Sequence, residues 1–91
     1  MAIVTRTRRN RIEMTIDEQC VFGSVSRFEF NDDILNVSIM MRQSVHELQV
    51  EGSARLLNVD RHLVDRVGTR LDGLQFATEK IRRENFIFVT S

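Results

Sequence analysis

The sequence predicts a mainly β protein: a small antiparallel barrel of five or six strands with one C-terminal helix. Three observations lead there. Apolar and polar residues alternate with a period of two through most of residues 12–72, as they do along half-buried strands. The chain has no proline, and glycine, asparagine and aspartate fall at the breaks between the alternating runs. Near the C-terminus the spacing changes to that of a helix. With 91 residues there is room for one core, so five or six strands and a helix must share it. Closing the sheet into a barrel also removes the unpaired edges that so many strands would otherwise expose.

The elements follow in order. Residues 1–11 read as a basic N-terminal arm, and residues 12–91 as a single β-barrel domain. Ile12, Met14 and Ile16 alternate with polar neighbours, which marks a strand. Val21 to Phe30 is a long strand with apolar residues on both parities: Phe22, Phe28 and Phe30 on one, Val21 and Val25 on the other. A bend at Gly23 reconciles them, and the three phenylalanines are assigned to the core. Asn31-Asp32-Asp33 is a polar turn leading into Leu35, Val37, Ile39 and Met41, which complete a hairpin.

Leu48, Val50, Gly52, Ala54 and Leu56 share one face of the next strand. After a loop around Asn58–His62, Val67, Thr69 and Leu71 alternate with Arg66, Gly68, Arg70 and Asp72, giving a second hairpin that ends near Asp72-Gly73. A helix is expected over about 77–86. Thr78 is its candidate cap, Glu79–Arg83 and Lys80–Glu84 are spaced i,i+4, and Ala77 and Ile81 begin an apolar stripe. Phe86-Ile87-Phe88-Val89 reads equally as a last strand; a helix fraying into an extended tail is the preferred reading.

Thirteen basic residues balance thirteen acidic ones, so net charge alone indicates neither a nucleic-acid nor a membrane partner. The balance hides an asymmetry. Arg6, Arg8, Arg9 and Arg11 crowd into residues 1–12, which hold no acid, leaving nine basic and thirteen acidic residues in the rest. All but one of the basic residues are arginine, whose planar fork fits phosphate or carboxylate bidentately. The arm is therefore a candidate anion site, and equally a solvated tail.

Catalytic chemistry has few candidates. Cys20, the single cysteine, lies at the start of an apolar strand and reads as a buried structural thiol. One cysteine allows no internal disulfide, which makes the reducing cytosol the expected compartment. His46 and His62 lack the spacing of zinc ligands, and the four glycines stand singly, without a phosphate-binding loop. The expectation is a protein that is not an enzyme and carries no cofactor or metal. No apolar run approaches the roughly 20 residues that span a bilayer, so membrane insertion is not expected.

Residues 48–88 hold a familiar pattern. Gly52-Ser-Ala-Arg-Leu-Leu-Asn-Val59, then Arg66-Val-Gly-Thr-Arg-Leu-Asp-Gly-Leu-Gln-Phe76 and a closing charged helix, resembles the last third of a PilZ domain. The basic N-terminus resembles that family's arginine arm, and Asn36-Val37-Ser38 the opening of its Asp/Asn-x-Ser-x-x-Gly motif. The resemblance implies a six-stranded barrel with a C-terminal helix and binding of cyclic di-GMP. Arg8, Arg9 and Arg11 would grip phosphates and guanine edges, with Asn36 and Ser38 on the other side of the nucleotide. The chain departs from the family in two places: no two arm arginines are four apart, and Met41 stands where the motif has glycine.

The leading functional expectation is therefore a cytoplasmic ligand-sensing or interaction module with cyclic di-GMP as its ligand. A protein-interaction or assembly subunit, self-associating or docking through outward residues such as Glu47, Gln49, Glu51 and Arg55, is the alternative. A nucleic-acid-binding barrel that uses the N-terminal arginines is the third.

Overall fold

Alternation of apolar residues folds this chain into one antiparallel sheet, seen in a computed structural model that describes residues 2–43, 45–56 and 71–90. The strands are β1 (Ala2–Arg8), β2 (Arg11–Ile16), β3 (Gln19–Asn31), β4 (Ile34–Gln43), β5 (His46–Arg55) and β6 (Ile87–Thr90), and the helix α1 (Leu71–Arg83) lies between β5 and β6. Strand order equals chain order, so every strand pairs with its sequence neighbours. The sheet curls into a half-barrel. β1 and β6 approach one another, but no register of hydrogen-bonded partners joins them among the described residues.

The concave face carries the core expected from the alternation. Ile12, Met14 and Ile16 of β2, Leu35, Val37, Ile39 and Met41 of β4, and Val50 and Ala54 of β5 are all buried, with Leu56 just beyond. Two-residue turns join the first strands. Asp17 and Glu18 both have positive φ (48° and 69°), the pairing whose twist matches that of flanking strands. The expected turn at Asp32-Asp33 is also present. Asp33 clasps the end of β5, accepting the amide of Leu56 at 2.7 Å and pairing with Arg55 at 3.0 Å.

Two β-bulges decide which side chains face where. In β3 the register shifts between Val25 and Arg27, and the hydroxyl of the extra residue, Ser26, donates to the Ser38 carbonyl at 3.1 Å. Before the bulge Val21 and Val25 point inward; after it Phe28 and Phe30 do, packed against the core. The bend is therefore at Ser26 rather than Gly23. This corrects two assignments. Phe22 shares the parity of Phe28 and Phe30 but precedes the bulge, so it lies on the outer face, 48% exposed. Cys20 lies outward for the same reason and is an exposed thiol rather than a buried one.

The N-terminal arginines are not an appendage ahead of the first strand. Residues 2–8 form β1, whose Ala2 and Val4 pack on the core. The helix also differs from the expected range. It begins at Leu71, with Gly73 buried in its first turn, so the strand expected to run through Leu71 is already helical there. Leu74, Ala77, Thr78 and Ile81 form its packing stripe, and Phe76 meets Phe30 with ring centroids 6.4 Å apart. Thr78 is no cap: it is buried inside the helix, its hydroxyl donating to the Leu74 carbonyl at 2.8 Å. The spaced pair Glu79–Arg83 does form, at 2.9 Å. The tail beyond α1 is a last strand, pairing Ile87–Thr90 with Ser53–Val50. The rest of the expected second hairpin, residues 57–70, lies outside the described residues.

Candidate functional site

The first hairpin builds the candidate site. Val4 pairs with Met14 on the inner face, and in an unbroken strand Arg6 and Arg8 would follow it inward. The bulge between Val4 and Arg6 prevents this. Its extra residue, Thr5, donates its hydroxyl to the Glu13 carbonyl at 3.2 Å and to the Glu13 carboxylate at 3.1 Å. Beyond it Arg6 pairs with Glu13 and Arg8 with Arg11, all on the outer face. A bulge that re-aims side chains is a frequent companion of binding sites.

Arg8 and Arg11 thus oppose each other across the two strands, an arrangement of like charges that costs stability unless an anion lies between them. Beside them, Phe22 pairs with Glu13 from β3. The Arg11 guanidinium carbon lies 5.9 Å from the Phe22 ring centroid, in cation–π range. Arg6, Arg8, Arg11, Glu13 and Phe22 surround a hollow of about 200 Å³. The next basic residue along the row, Arg42, is already held by Glu47 at 3.3 Å. The hollow therefore offers three guanidinium groups against one carboxylate, around an aromatic ring open to solvent.

No family model, curated protein or solved structure matches this chain. The site must be judged from its own geometry.

The residues singled out from the sequence do not all meet. Arg8 and Arg11 line the hollow. Arg9, at the turn, lines a different recess with Thr7 and α1. Ser38 and Asn36 sit four and six residues along β4 from Arg42, roughly 13 and 20 Å away at the rise of a strand. They line an outer groove of about 470 Å³ with Arg27, Glu29, Glu51 and Ser53, bounded by Ile87 and Val89. Met41, where the resembling motif has glycine, is fully buried on the opposite face of the sheet. Phe22 is the site residue that sequence reasoning missed. Its signal was the change of apolar parity within β3, which marks a bulge but not the bulge's position.

No cluster of three potential metal ligands occurs among the described residues. His46 is exposed and His62 lies outside the described residues. No described helix is long and apolar enough to cross a membrane.

Proposed function

We propose that this chain is a non-enzymatic binding module for a phosphate-bearing nucleobase ligand, taken up on the outer face of the β1–β2 hairpin. The observation that carries this reading is the half-exposed ring of Phe22 amid Arg6, Arg8 and Arg11. A base stacked on an exposed aromatic ring gains about 1–3 kcal/mol, without regard to sequence. Arginine forks beside it suit phosphate oxygens bidentately. Cyclic di-GMP, with two bases and two phosphates, is the specific ligand implied by the PilZ resemblance. Arg8 and Arg11 keep their proposed role, and Phe22 replaces Asn36 and Ser38 as the partner of the base.

Titration calorimetry with cyclic di-GMP, with GMP and a short single-stranded oligonucleotide alongside, tests the proposal. The expected result is micromolar binding of cyclic di-GMP, weakened about tenfold or more by Phe22→Ala and by Arg11→Ala, a loss of about 1.4 kcal/mol. Preference for the oligonucleotide, with affinity falling steeply in salt, would make nucleic acid the ligand of the same face. No heat with any of them, or binding that ignores both substitutions, rejects the site.

A second reading has its own observation. Ile87 and Val89 are 74% and 65% exposed on the last strand, at the sheet's edge. Apolar side chains on a strand with no further strand partner among the described residues favour a protein partner or self-association. Sedimentation at high protein concentration checks it: self-association abolished by Ile87→Lys supports this reading, and a monomer throughout removes self-association.

A further inference from the structure

The bulge that sends Arg6 and Arg8 outward sends Thr7 inward, toward α1. Arg9 follows in the turn with a φ of 55°, a left-handed conformation disfavoured for a residue with a Cβ. Across from this turn, Gln75, Glu79 and Arg82 lie on one face of α1 at positions i, i+4 and i+7. Together with Thr7, Arg9 and Thr78 they enclose a recess of about 280 Å³.

The charges in this recess are unbalanced. Glu79 is engaged by Arg83 at 2.9 Å, whereas neither Arg9 nor Arg82 has an ion-pair partner among the described residues. The helix dipole accounts for a cation in the last turn, and so for Arg82 alone. It does not account for Arg9, which comes from another element and is held in a disfavoured conformation. Thr78's hydroxyl proton is committed to Leu74, leaving the Thr7 hydroxyl and the Gln75 amide as neutral donors.

We infer that this recess is a second oxyanion site, for a phosphate group that bridges the β1–β2 turn and α1. Two arginine forks from different elements, with neutral donors between them, suit a compact anion of two or more charges. The volume admits a phosphate with a small substituent. Because the ligand ties the first hairpin to the helix, it binds the folded chain and not the unfolded one, and so raises the melting temperature. This site is independent of the Phe22 hollow on the hairpin's outer face.

The test is thermal unfolding in inorganic phosphate and in glycerol phosphate, each against sodium chloride of equal ionic strength. The native chain is compared with Arg9→Gln, Arg82→Gln and Arg27→Gln; Arg9, Arg82 and Arg27 are all exposed, so the variants fold. The expected result is a rise of several degrees in the native chain and in Arg27→Gln, lost in Arg9→Gln and Arg82→Gln. A larger rise with glycerol phosphate identifies a phosphate ester, and an equal rise free phosphate; both support the site. A rise equal in all four proteins, no rise at tens of millimolar phosphate, or a rise lost in Arg27→Gln alone overturns the inference. Failure of the Phe22 site shows separately, as absence of nucleotide binding with the phosphate effect intact.

Discussion

A methyl group added at Gly52 would sit 2.7 Å from the Phe88 ring, which stacks on Phe86 as it crosses β5. One added at Gly23 would press directly against the Met40 carbonyl oxygen and the Met41 sulfur. A ring can turn aside, but a backbone carbonyl in a ladder cannot. Gly52→Ala is therefore expected to cost about 1–3 kcal/mol by overpacking, and Gly23→Ala more, as read from urea unfolding midpoints. Equal or negligible costs would mean that the inner face is looser than described. Phe22→Ala belongs to the other class. With its ring half exposed and one cation–π contact, its removal is expected to change stability by less than about 1 kcal/mol while weakening nucleotide binding about tenfold or more. At this scale the sequence marks the arginines as candidate anion contacts from their type and crowding. It misplaced Phe22 and Cys20, because residue type says apolar and only register says which side of the sheet.

The two bulges are the elements that organise the molecule. Ser26 is the extra residue in β3, so its deletion leaves Val25 opposite Ile39 and Arg27 opposite Ser38 in an uninterrupted ladder. That deletion is expected to preserve the fold, at a cost near the roughly 1 kcal/mol of its hydrogen bond plus lost curvature. Deleting Ser24 instead would push Val25 to the outer face and draw Ser26 into the core. The loss of a buried valine and the burial of a hydroxyl then cost at least about 3 kcal/mol. Urea unfolding of the two deletions separates them, and a reversed order would place the bulge elsewhere. The strands β2, β4 and β5 were legible in the sequence because nothing interrupts their alternation. β1 reads as an arm in the sequence because its bulge scrambles the period and its arginines dominate its composition. The helix reads short for a different reason. Gly73 has the look of a strand break, whereas the packing of Leu74, Ala77 and Ile81 outweighs the roughly 1 kcal/mol that one helical glycine costs. Thr78, a good capping residue by type, is committed to packing within the helix.

Across the whole molecule, the neutral formal charge conceals a separation that the fold preserves. The hairpin end carries Arg6, Arg8, Arg9 and Arg11, while Asn36 and Ser38 share their groove with Glu29 and Glu51 against the single cation Arg27. An anionic ligand is attracted to the first and opposed by the carboxylates of the second. Because the hairpin arginines are exposed, binding there is expected to weaken severalfold between 50 and about 300 mM salt, as screening shortens their reach. Salt-independent affinity would point to contacts other than these. The candidate site was thus half legible. Arginine crowding is a local property of sequence, but meeting Phe22 and parting from Asn36 and Ser38 are consequences of register and of distance along β4.

Backbone amide chemical shifts, followed by NMR as cyclic di-GMP is added, test the central claim most directly. The account predicts saturable shifts concentrated on Arg6, Arg8, Arg11, Glu13 and Phe22, reached only at about tenfold or more higher ligand in Phe22→Ala. Shifts centred on Asn36, Ser38 and Glu51, or none at millimolar ligand, would contradict it.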